Sequence, residues 1–144
     1  MLETILTFAT SAILLLLSML HFYWAFGGSW GIEYTIPEKF KDRFFNEKYK
    51  WHTKLATIIV AIGLLVFAVI IFSNHYDFTG LLKPSWTRTL TQVIGVIFIA
   101  RAIGDFNIVG IFKKSKESIF EKKDSQIYVP LCIYLGLSTL FISF

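Results

Sequence analysis

The chain has 144 residues, a net charge of +4, an apolar fraction of 55% and a mean hydropathy of +0.61. A soluble domain of this size cannot hide that much apolar surface, so lipid is the remaining solvent. The single cysteine, Cys132, excludes an intramolecular disulfide and a thiolate metal cluster.

The first apolar segment, residues 4–26, is long enough to cross roughly 30 Å of hydrocarbon as a helix. It lacks a basic leading region and a following A-x-A site, which predicts a retained span rather than a signal peptide. At about 100° per residue, Thr7, Thr10, Ser11, Ser18 and His21 share one face, a polar seam on an otherwise apolar helix. Small hydroxylated residues let helices approach closely, which accounts for the first four. His21, at the end of the seam, needs a hydrogen-bonding partner. Gly27, Gly28 and Gly31 then permit a turn out of the membrane, or a loop whose N–H groups face an anion.

The stretch TIPEKFKDRFFNEKYKW, residues 35–51, opens with Thr35 and Glu38 at capping-box spacing and Pro37 in the first turn. Phe40 and Phe44 share a face, which predicts a short amphipathic helix at the membrane interface. A second span follows at 54–73 and a third at 87–112. The third carries Arg101 and Asp105, four residues apart and so on one face. Charges in hydrocarbon must be paired or wet, and the two are expected to pair toward the bundle interior. KKSKESIFEKKDSQ reads as a basic loop or short helix beside anionic head groups. Asp124 precedes the fourth span, 127–144, which begins with Tyr128 close by. Trp24, Trp30, Trp51 and Trp86 lie near span ends, as interfacial aromatic residues do.

Lysine and arginine set the orientation. Lys39, Lys41, Arg43, Lys48, Lys50 and Lys54 lie between the first two spans, and Lys113, Lys114, Lys116, Lys122 and Lys123 between the last two. The middle connection holds only Lys83 and Arg88. The positive-inside rule therefore predicts a multi-pass protein of the cell membrane with both termini outside. His21, Arg101, Asp105 and Asp124 then fall at one depth near the cytoplasmic side. His52 and His75 have no second histidine at ligand spacing, so no metal site is expected.

Two blocks of the sequence, HFYWAFGGSWG and RAIGDFNIVGIFKKSKESIFEKKDSQIYVPLC, resemble the two signatures of the DUF3995 family of small bacterial four-span membrane proteins. The first block carries His21, Tyr23, Trp24, Gly27, Gly28, Trp30 and Gly31. The second carries Arg101, Gly104, Asp105, Gly110, Lys113, Phe120, Asp124, Tyr128 and Cys132, among others. The first cytoplasmic connection is longer and richer in lysine than the family pattern. The resemblance implies the four-span fold and no activity.

These readings predict one all-α membrane domain over 1–144, a four-helix bundle with an interfacial helix in its first connection. Its expected role is to bind a small lipophilic or anionic molecule in a cytoplasm-facing pocket lined by His21, Tyr23, Trp24, Arg101, Asp105, Asp124 and Tyr128. Direct contact of His21 with Arg101 or Asp105, or contact through one ligand or water, is expected. Catalysis with His21 as acid or base and Asp105 fixing its tautomer stays open. A structural lock, an accessory or structural subunit, a component of an oligomeric transporter, and a homo-oligomer also stay open. No cofactor is identified, and the lipid bilayer is the expected partner, with no nucleic acid.

Overall fold

The computed structural model describes residues 1–37, 40–41, 50–76, 84–104, 109–113 and 118–144. All regular structure among them is helical. Helix α1 is Leu2–Ala25, a short 3₁₀ turn is Ile32–Tyr34, α2 is Lys50–Tyr76 and α3 is Pro84–Ile103. Helix α4 is continuous over Ile119–Ile142 and widens to a π-helical turn at Asp124–Tyr128. The expected interfacial helix and its Thr35–Glu38 capping box lie largely outside the described residues.

The helices alternate in direction. Thr4 Oγ1 lies 3.2 Å from His75 Nε2 and Ser18 Oγ donates to the Ala61 carbonyl at 2.7 Å, so α1 and α2 are antiparallel. Arg88 reaches the Ser143 carbonyl at one end of α3 and Arg101 reaches Asp124 at the other, so α3 and α4 are antiparallel too. The α1–α2 and α3–α4 pairs pack most closely, and meet along α2–α3 and α1–α4.

The faces are inverted relative to a soluble bundle. Thr7, Thr10, Ser11 and Ser18 are buried, while Ile5, Phe8, Leu16 and Met19 of the same helix are exposed. Exposed Ile59, Ile62 and Val66 on α2 repeat the pattern. Such faces suit lipid, where close packing of small residues, not the hydrophobic effect, joins helices. Three helices, α1, α2 and α4, are long and apolar enough to cross a membrane.

Two boundaries differ from the sequence reading. Helix α3 ends at Ile103, well short of residue 112, because Gly104 turns to φ +84°. The chain then comes back, and the Ile111 amide bonds the Ala102 carbonyl. Helix α4 begins well before residue 127. Ser118 Oγ accepts from the Glu121 amide and Glu121 Oε2 from the Ser118 amide, a capping box that fixes its start. Pro130 has no N–H to give the turn before it. The π turn, closed by the Val129 amide on the Asp124 carbonyl, carries the helix through that gap.

Helices α3 and α4 cross at Gly95 and Gly136. A Cβ at Gly136 would stand 2.6 Å from Ile99 Cδ1 and 3.1 Å from the Gly95 carbonyl, whereas one at Gly63 of α2 would meet nothing within 4 Å. Gly136→Val should therefore cost about 1–3 kcal/mol by overpacking. Gly63→Ala should be neutral or stabilising by about 0.5–1 kcal/mol, since it removes only backbone freedom. Thermal unfolding in detergent compares the two.

Candidate functional site

His21 stands on the last turns of α1, where the helix leaves the bundle through its glycines. The Phe26, Gly27 and Gly28 amides bond back to the carbonyls of Phe22, Trp24 and Tyr23. Gly27 and Gly31 have φ of +99° and +76°, backbone that favours glycine. Trp24 Nε1 donates to the Trp30 carbonyl at 2.8 Å and closes the loop. Two of the glycine-loop amides are thus spent on the helix end, in keeping with the turn. Tyr23 lies over Gly28, where a Cβ would overlap its ring.

The 3₁₀ turn folds back beneath α1 and buries Ile32 and Ile36. This leaves a groove of about 290 Å³ between α1, the turn and the start of α2. Ile32, Ile36, Ala56 and Val60 give it an apolar lining, and His21, Thr53 and Thr57 give it polar groups. A second groove of about 430 Å³ adjoins it, shares Trp24 and Thr57, and adds Lys50 and Lys54. Lys54 Nζ stands 5.7 Å from the centre of the Phe26 ring. His21 Nδ1 lies 2.7 Å from the Leu17 carbonyl. That bond requires the proton on Nδ1 in the neutral ring and leaves Nε2 for another partner. The Trp24 ring packs edge-on against the imidazole at 5.0 Å.

A separate ionic cluster forms at the same end of the bundle, between α3 and α4. The Asp124 carboxylate is fully buried. Its Oδ1 accepts from Arg101 Nη2 at 2.9 Å. Its Oδ2 accepts from Lys113 Nζ at 2.8 Å and from the Gly110 amide at 2.9 Å. The Lys113 side chain is 1% exposed and that of Arg101 35%. Gly104 and Gly110 make this possible. Both have positive φ, and a Cβ on either would run into backbone of the other's segment. Nearby, Tyr128 donates to the Tyr34 carbonyl at 3.1 Å, joining α4 to the 3₁₀ turn.

The family model described as protein of unknown function (DUF3995) matches residues 14–139. The chain belongs to the DUF3995 family. No curated protein and no solved structure matches it. In this DUF3995 member the matched range takes in both the His21 groove and the Asp124 cluster.

The structure divides the residues expected to form one pocket. Arg101 and Asp124 meet, but Asp124 is a buried hub rather than a residue lining a pocket. Asp105 lies outside the described residues, so the Arg101–Asp105 pair does too. His21 does not join Arg101; it faces α2 and the 3₁₀ turn, with the Leu17 carbonyl in place of a carboxylate. Trp24 lines the His21 groove, Tyr23 covers the glycine turn, and Tyr128 ties the two regions together. Lys113, Gly110, Ile36, Thr57 and Lys54 are additions. Small residues on α2 signal the first groove, because Ala61 and Ala68, seven apart and buried, let α1 approach. Lys113 carried a signal as well, in the second of the family-like blocks.

Removing the Asp124 charge would strand two cations. Asp124→Asn should cost about 3–5 kcal/mol, the range for breaking a buried pair. Lys122→Ala, at an exposed position, should stay within about 0.5 kcal/mol. Thermal unfolding in detergent reads both, and equal values would mean the cluster carries no net stability.

Proposed function

We propose that the protein is a four-span membrane protein, both termini outside, which binds a lipophilic molecule with an anionic or hydrogen-bonding head in the cytoplasm-facing groove between α1 and α2. The observation that carries this reading is His21 Nε2, without a polar partner among the described residues, at the wall of an otherwise apolar groove. The tail would lie along Ile32, Ile36, Ala56 and Val60, and the head would meet His21 with Lys54 near the mouth. A volume of about 290 Å³ is at the small end of ligand sites, and the adjoining groove extends it. A neutral imidazole would accept from a hydroxyl or a protonated carboxyl, and an imidazolium would donate to a carboxylate or phosphate.

The lysine-rich first and third connections support the orientation. Exposed Val93, Val96 and Ile97 support α3 as the fourth membrane-crossing element. A backbone carbonyl on His21 Nδ1, where acid–base chemistry would favour a carboxylate, supports binding over catalysis.

A fatty acid carrying a photoactivatable diazirine tests the groove. It should crosslink to residues of α1, the 3₁₀ turn and the first turns of α2. His21→Ala should weaken its binding about tenfold, equivalent to the ~1.4 kcal/mol of one charge-assisted hydrogen bond. Crosslinks spread evenly over the lipid-facing surfaces, unchanged by His21→Ala, would refute the site. Lys122→Cys in a Cys132→Ser background should resist an impermeant thiol reagent applied to intact cells, and ready labelling would reverse the orientation.

A further inference from the structure

We infer that the half of the bundle opposite the His21 groove holds an internal cluster of water or similarly small hydrogen-bonding solute, bound by buried hydroxyls and reached from a polar groove at that end. Five hydroxyls carry the inference. Thr7, Thr10 and Ser11 of α1, Ser73 of α2 and Thr139 of α4 are all nine-tenths or more buried, and their oxygens have no hydrogen-bond partner among the described residues.

The helix contacts place them at one level. The pairs Thr4–His75 and Ser18–Ala61 set the α1–α2 register, which brings Ser73 level with Leu6, next to Thr7. Asn74 Nδ2 donates to the Ile142 carbonyl, so Thr139 lies about one turn further in, near Thr7 and Thr10. At 1.5 Å per residue the five hydroxyls span roughly 7–8 Å of depth. Thr87 and Thr91 of α3 lie at the same end and are buried as well. Those two donate to the Pro84 and Thr87 carbonyls in their own helix. Threonine in a helix ordinarily meets its hydroxyl's needs in this way. The five others do not, although each is helical and each has such a carbonyl within its own turn.

A hydroxyl without a partner in an apolar interior is costly, and in a membrane no bulk water relieves it. Close packing explains why these residues are small; it does not explain why they are hydroxylated, since alanine would pack as well. A route for solute exists at the outer end. Two grooves of about 410 and 350 Å³ share Asn74, His75 and Pro84. Ser73, itself only 6% exposed, lines the second of them, and Arg88 and Glu3 line the first. Ser73 thus belongs both to the groove and to the unpartnered layer. Hydroxyls both donate and accept, so the layer suits neutral solutes of the size of water.

Single-cysteine variants in a Cys132→Ser background, reconstituted in liposomes with reagent on both sides, test the layer. A small water-soluble methanethiosulfonate should modify Thr10→Cys. It should leave Ala61→Cys unmodified, because Ala61 is equally buried but lies at the depth of Ser18. Thr10→Val should lower Tm, because waters shared with Thr7, Ser11 and Thr139 lose a partner. An unreactive Thr10→Cys in folded protein overturns the inference, and so does a Thr10→Val variant whose Tm is unchanged or higher. Should the cysteine variant aggregate, the valine variant alone decides.

Discussion

One buried carboxylate organises one end of this bundle. Asp124 is fully enclosed, and its two oxygens are shared among a guanidinium, an ammonium and a backbone amide. Desolvating such a charge is expensive unless every lone-pair direction is met. The surrounding features follow from that requirement. Gly104 stops α3 so that Arg101 sits at its end, and Gly110 brings an N–H in place of a side chain. Lys113 then follows within reach, and the π turn of α4 includes Asp124 itself. Each feature alone is a weak signal; together they are one way of surrounding two oxygens with donors.

The cluster and the His21 groove are neighbours with different physics. The cluster centres on a fully buried carboxylate whose two oxygens are both taken by donors. The groove is half-open and largely apolar, with one ring nitrogen that has no polar partner among the described residues. The 3₁₀ turn stands between them, Ile32 and Ile36 toward the groove and the Tyr34 carbonyl toward Tyr128. A ligand pressing on the turn would therefore act on an element that α4 also holds.

The presence of four long helices, the polar seam and a group of charges at one end of the bundle were legible in the sequence, because the first two depend on periodicity and the third on the cost of charge in lipid. Partner choice was not. Spacing along α3 points from Arg101 to Asp105, which lies outside the described residues; among those described, Arg101 engages Asp124, 23 positions away, which spacing along one helix cannot indicate. That contact depends on a chain reversal at two glycines that no helical wheel contains. The seam of α1 was correctly placed on a buried face, and the wheel angle could not say which helix it would meet. Ala61 and Ala68 decide that by leaving room, so His21 goes to α2 and away from Arg101. The π turn was equally hidden, since Pro130 shows that a hydrogen bond is lost but not how the helix absorbs it.

The central claim is that Asp124 is held by its cationic partners as a unit, and a double-mutant cycle between Asp124 and Lys113 tests it most directly. Unfolding free energies of the parent, Asp124→Asn, Lys113→Met and the double variant give the coupling. The account predicts that Lys113→Met costs much less once Asp124 is neutral, with an interaction of about 1–3 kcal/mol. Effects that add to within about 0.5 kcal/mol would show that the two groups do not depend on each other, and would contradict it.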